Sequence, residues 1–123
     1  MFSLLTLISC QPASLGSSKP ISVRTLAEEY DRSSASVRSK YDGKEIIVSG
    51  YVVVAPTLSN GDDQGSVQLE EKDQRAGKVV CWFSKDHAEQ FSKLKGWQYI
   101  TVKGVFNGEV GAELKFCKLV GIE

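Results

Sequence analysis

The chain has no surplus of charge of either sign: across 123 residues, fifteen Lys and Arg balance fifteen Asp and Glu. A nonspecific binder of polyanions carries a basic excess, so the balance argues against one and leaves only a local basic patch open. Histidine occurs once, at His87, between Asp86 and Ala88, with no second histidine and no CxxC spacing. The common zinc and haem ligand sets are therefore missing; no metal and no cofactor is expected, and His87 reads as a structural residue. Neither Gly-x-Ser-x-Gly nor a phosphate loop is present, and one histidine pairs poorly with Cys81 inside a strand, so no catalytic residue is assigned and no enzyme is expected. No run of about 18 apolar residues occurs to form a bilayer-spanning helix. What is there is 41% hydrophobic and 24% charged, enough for one domain with a real core.

The chain changes character at Cys10. Before it stand Phe2, Leu4, Leu5, Leu7 and Ile8; after it come serines, a glycine and two prolines, the composition of a tether. Leu7-Ile8-Ser9-Cys10 resembles a bacterial lipobox, in which the cysteine is lipidated and becomes the mature N-terminus. That resemblance implies a signal-like segment and tether over residues 1–21, a lipid on Cys10, and a domain over 22–123. The domain would then lie on the extracytoplasmic side of a bacterial envelope, periplasmic or at the outer membrane. The alternative is a frayed apolar N-terminus whose cysteine is incidental.

From Ser22 the period becomes helical. Val23, Leu26, Ala27, Tyr30, Val37 and Tyr41 fall near one stripe, Ser22 can cap the first turn, and the serines around Ser33 weaken the middle. The spacing predicts a helix over about 22–38. A first strand follows over 44–55, with Ile46, Val48, Gly50 and Val52 on one face and Ile47, Ser49, Tyr51 and Val53 on the other; one face is expected to line the barrel and the other to be covered in part by the N-terminal helix. "SVQLEE" and "KVVCWFS" give two more strands. A short amphipathic helix then carries Ala88, Phe91 and Leu94 on one stripe, with Ser84 as its cap and Gly96 as the left-handed residue at its end. "WQYITVKGVFNG" and "AELKFCKLVGI" complete five strands. Gly50 in mid-strand weakens the strand, so its missing side chain must allow something, and a sharp bend is the expectation. Gly104 is expected to be a similar kink.

A helix between strands three and four and a glycine in the first strand resemble the mainly β, five-stranded Greek-key OB barrel. More narrowly, Tyr30 with "YDGK", "VSGYV", "VVCWF", "LKG", "VKG" and "KFCKL", in that order, resemble the tRNA_anti-like OB-fold family of small bacterial proteins and lipoproteins. Members often carry Asn-Glu in the pre-barrel helix where this chain has Ser33-Ser34. The resemblance implies a ligand face on strands two and three and the neighbouring loops: Gln68, Glu70 and Trp82, with Asp62, Asp63 and Glu109 at the rim. Carboxylates there have the wrong sign for phosphate. The expectation is therefore a noncatalytic binding module, membrane-tethered, that recognises a protein, peptide or glycan. The alternative is a domain for single-stranded nucleic acid or tRNA. In an OB barrel strands three and five adjoin, so Cys81 and Cys117 either form a disulfide or lie side by side as buried free thiols. Plain alternation puts Cys117 on the face of Lys115, so a bulge is needed to turn it inward.

Overall fold

Two short helices precede the barrel where the stripe suggested one. A computed structural model of the chain describes residues 19–58, 64–72 and 77–123, with backbone alone at 54–58 and 64. Cys10, Asp62 and Asp63 lie outside the described residues. A two-residue strand, β1 (Ile21–Ser22), runs into α1 (Val23–Arg32), and α2 (Ser34–Tyr41) follows. The Ser22 side chain accepts from Thr25 N at 3.1 Å, as the capping pattern suggested. Ser33 separates the helices because its side chain accepts from Ser36 N at 3.3 Å, capping a new helix instead of continuing the old one. Val23, Leu26, Ala27 and Val37 are buried.

The barrel strands are β2 (Glu45–Leu58), β3 (Gln64–Glu70), β4 (Val79–Ser84), β5 (Tyr99–Asn107) and β6 (Glu113–Ile122). Their order is β1-β2-β3-β4-β6-β5, and β5 also pairs with β2, which closes the five-stranded Greek-key barrel. β2 serves both halves: residues 45–51 pair with β5 and residues 51–58 with β3. Ile46, Val48 and Val52 point into the core with Val67, Leu69, Val79, Cys81, Ile100, Val102 and Leu114. A 3-10 turn over Lys85–His87 and the helix α3 (Ala88–Ser92) plug the barrel between β4 and β5; Phe91 is fully buried and stacks on Phe83 with centroids 4.3 Å apart.

β2 changes partner at Tyr51, next to Gly50, as a strand serving both halves requires. Three other expectations change, and Gly50 has a second role. Gly50 lies inward, and a Cβ there would stand 2.8 Å from Val23 Cγ1, so its smallness serves the seating of α1 over the barrel's inner side. The helix therefore closes the interior instead of covering the outer face of β2. The departures from regular pairing in β2 fall at Val52/Val54 and Val54/Thr57, beyond the glycine. Ser84 precedes the 3-10 turn without a side-chain capping bond. Gly96 does not take the left-handed conformation; Trp97 does, at φ 66, held by a 2.6 Å bond from its N–H to Val52 O. Gly104 stands opposite a bulge in β6, where a Cβ would meet Cys117 Sγ and Lys115 O, both at 2.9 Å.

Candidate functional site

The outer surface of β3, β4 and β6 collects the residues that the sequence pointed to. Alternation buries Val67, Leu69, Cys81 and Phe83, so Gln68, Glu70 and Trp82 lie half-buried on the opposite face. Ser66 is directly opposite Trp82, and Gln68 opposite Val80. β4 pairs with β6 only at Val80↔Glu113 and Cys81↔Leu114. Beyond Cys81 the two strands part, and a cleft of about 90 Å³ opens between Trp82, Phe83 and Ser84 on one side and Lys115 and Phe116 on the other.

Phe116 shapes that cleft, although nothing in its sequence pattern marks it as exposed. Its backbone is left-handed, φ 57, at a one-residue bulge where the β5–β6 register shifts between Lys103 and Val105. The bulge turns Cys117 inward to full burial and leaves Phe116 72% exposed. The inward Cys117 that plain alternation did not give is produced in this way. Hydrogen bonding to Cys117, reinforced by burial, pushes the Cys81 thiol well above the ordinary thiol range. Both cysteines are free, so of the two readings the disulfide is not formed; the pair packs as small apolar side chains with weak S–H donors.

Trp82 is held on both its edge and its face. Its Nε1–H donates to Glu113 Oε1 at 3.2 Å, and the Lys115 ammonium lies 5.2 Å from the ring centroid. The same Lys115 Nζ is 3.6 Å from Glu113 Oε1, so the three side chains form a closed set with the cation neutralised locally. Lys115 and Phe116 also border a wider groove of about 360 Å³ that runs to Arg38, Asp42 and Glu109. Glu109, placed at the rim by the sequence, is therefore on this second groove and reaches the Trp82 cleft only through Lys115 and Phe116. There Arg38 Nε donates to Asp42 Oδ2 at 2.8 Å, and this bond holds the Asp42 carboxyl below the usual carboxylate range. Asp42 Oδ1 accepts from Gly108 N at 2.9 Å and Tyr30 Oη donates to Gly108 O at 2.6 Å, tying α1 and α2 to the β5–β6 turn.

A closed five-stranded barrel with an interstrand helix and an aromatic outer cleft defines an OB-fold binding domain. The chain belongs to the tRNA_anti-like family, whose model matches residues 11–114. Among solved structures it is similar to a proposed nucleic acid-binding lipoprotein from Klebsiella pneumoniae, with 15% identity and a TM-score of 0.69 over 83% of this chain and 92% of that one. It is also similar to an OBody bound to hen egg-white lysozyme, with 19% identity and a TM-score of 0.52 over 68% of this chain and 83% of that one. No curated protein sequence matches significantly.

Proposed function

We propose that the domain is a noncatalytic module that binds an extended segment of a protein or peptide in the cleft between β4 and β6. Phe116 carries this reading. A bulky side chain in the left-handed region costs of order 1–3 kcal/mol, and a glycine would make the same bulge without strain. Keeping a phenylalanine there, exposed beside Trp82, makes sense when a ligand covers it. The mostly apolar cleft of about 90 Å³ has room for little more than one apolar side chain. The lone cation lining it, Lys115, is already paired with Glu113 and occupies one face of the Trp82 ring. These features disfavour stacking of nucleotides, which needs free ring faces and unpaired cations. A protein ligand suits them better than a nucleic acid such as the Klebsiella protein is named for.

The second element of the proposal is location: residues 1–21 act as export signal and tether, with a lipid on Cys10 holding domain 22–123 in the bacterial envelope. The lipobox-like Leu7-Ile8-Ser9-Cys10 supports it, and the Klebsiella neighbour is itself a lipoprotein. Two measurements test the whole. Radiolabelled palmitate should enter the full-length chain in a bacterial host and fail to enter Cys10→Ala. Peptide-display selection on the protein should enrich sequences with one apolar anchor, and Trp82→Ala and Phe116→Ala should each abolish their capture. Enrichment that survives both substitutions, or oligonucleotide binding that quenches Trp82 fluorescence in their place, refutes the peptide reading.

A further inference from the structure

Outside the Trp82 cleft, a second set of aromatic side chains gathers at one end of the β2–β5 pair. Tyr51 and Tyr99 are directly opposite each other in that ladder. Their rings meet edge to face with centroids 4.9 Å apart, and the Trp97 ring stands 6.5 Å from that of Tyr51, tilted by 55°. Val52 and Ile100, the next residues along, are fully buried, so both tyrosines point outward. Trp97 is 49% exposed. Its left-handed backbone, a conformation bulky residues rarely adopt, is fixed by the bond to Val52 O and by Gln98 Oε1, which accepts from Lys95 N at 2.7 Å. The three rings are thus held in place and turned to solvent.

The charges placed beside the two tyrosines are carboxylates. Glu70 lies directly opposite Tyr51 in the β2–β3 ladder. Among the described residues, the side chains of full charge that act on the Tyr99 hydroxyl are Glu71 and Glu123, both carboxylates. Glu123 N also donates to Tyr99 O at 2.9 Å, which places the end of β6 beside the ring. Aromatic faces are negative by their quadrupole, and carboxylates around them add to the same field. Such a surface is complementary to a cation with a flat or extended apolar body.

We propose that Tyr51, Trp97 and Tyr99, rimmed by Glu70, Glu71 and Glu123, form a docking site for an arginine side chain of a partner polypeptide. Guanidinium is planar and stacks flat on aromatic faces while its N–H groups pair with carboxylates; ammonium is a compact, strongly hydrated point charge that makes a cation–π contact without stacking. The site lies open on the sheet surface, so a free small cation would find no enclosure. Tryptophan, tyrosine and arginine are the residues that dominate interface energies. The site is separate from the Trp82 cleft and stands whether or not that cleft takes a peptide.

The test uses the full chain carrying Trp82→Phe, so that the one indole signal belongs to Trp97. A short blocked peptide with one arginine is titrated in, and its citrulline counterpart, equal in shape but uncharged, serves as comparison. The arginine peptide should shift the Trp97 indole resonance and bind more tightly than the citrulline peptide by about two- to fivefold, the worth of an exposed cation–π contact. Glu71→Gln with Glu123→Gln, a pair of surface changes that leave the core alone, should narrow that ratio, and added salt should narrow it too. Trp97→Ala should remove the arginine preference while circular dichroism reports an unchanged fold. Equal affinity for the two peptides, or no shift of the indole at any peptide concentration, overturns the proposal.

Discussion

Gly50→Ala tests the packing on which the barrel's interior depends. Gly50 faces inward between Val48 and Val52, both fully buried, and a Cβ there would stand 2.8 Å from Val23 Cγ1, 3.0 Å from Val23 Cβ and 3.2 Å from Leu69 Cβ. None of those atoms is the loose end of a long side chain. Val23 sits in the first turn of a capped helix and Leu69 lies fully buried on β3. Carbon atoms pack best about 3.5–4.0 Å apart, so α1 has to lift or Val23 has to leave its rotamer. Overpacking of this kind costs about 1–3 kcal/mol, and the stiffer unfolded chain offsets about 0.4–1 kcal/mol of it. The net loss is about 1–2 kcal/mol, or a fall in Tm of about 4–8 °C for each kcal/mol in a domain of this size. Urea and thermal unfolding followed by circular dichroism read it directly. Gly121→Ala is the control, because a Cβ at that strand position would meet nothing within 4 Å; its Tm should hold or rise slightly. Val23→Ala removes the Cγ1 in question, so Gly50→Ala should cost at least about 0.5 kcal/mol less in that background than alone. An unchanged Tm for Gly50→Ala, or strict additivity in the double variant, would refute the account of why position 50 is glycine.

Two further outcomes follow from the site. Phe116→Gly relieves a left-handed phenylalanine whose ring is mostly in solvent, so the domain should gain about 1 kcal/mol in urea unfolding even as peptide capture is lost; a clear loss of stability would show that the ring packs more than its exposure indicates. The buried Cys81 thiol has a folded pKa raised above its unfolded value, so its stabilisation is full below the ordinary thiol range, about 8.5, and is lost as pH rises toward the folded value. In a Cys10→Ala background, unfolding midpoints should fall more between pH 7 and pH 9.5 than those of Cys81→Val, and a thiol reagent should modify Cys81 and Cys117 only after unfolding. Fast labelling of the native chain would contradict the burial.

Much of the architecture is carried by patterns that local chemistry fixes. The period-2 runs of β3, β4 and β5 set their inward faces, Ser22 capped the helix it was expected to cap, and the stripe through Phe91 and Leu94 buried both. Two of the misses share one cause. Alternation counts residues along a strand, and a single left-handed residue adds one to the count without any mark in the composition. At Phe116 that addition turned Cys117 inward and the phenylalanine outward. At the end of α3 the glycine that usually signals such a residue was present at position 96, yet the conformation fell on Trp97, where a backbone bond to Val52 O holds it. Gln68, Glu70 and Trp82 were legible because they lie on regular strand; Tyr51, Trp97, Tyr99 and Phe116 were not, because aromatic residues in a β protein read first as core.

The two bulky left-handed residues are better understood together than apart. Among the described residues, the non-glycine positions with positive φ are Trp97 and Phe116, and both are large aromatics, 49% and 72% exposed. Either conformation would come at no steric cost with glycine, and burying either ring would have favoured the fold by about 1.5–3 kcal/mol. The chain forgoes both gains at two separate points of its outer surface, beside Trp82 in one case and beside Tyr51 in the other. Folding alone gives no reason for that choice twice, since each bulge or turn needs only the backbone geometry. Contact with a partner supplies one: a ring whose backbone is already fixed loses little freedom on binding and offers a large, preorganised area. A neutral barrel that does not draw ligands by net charge would then select them by where its aromatic side chains are held.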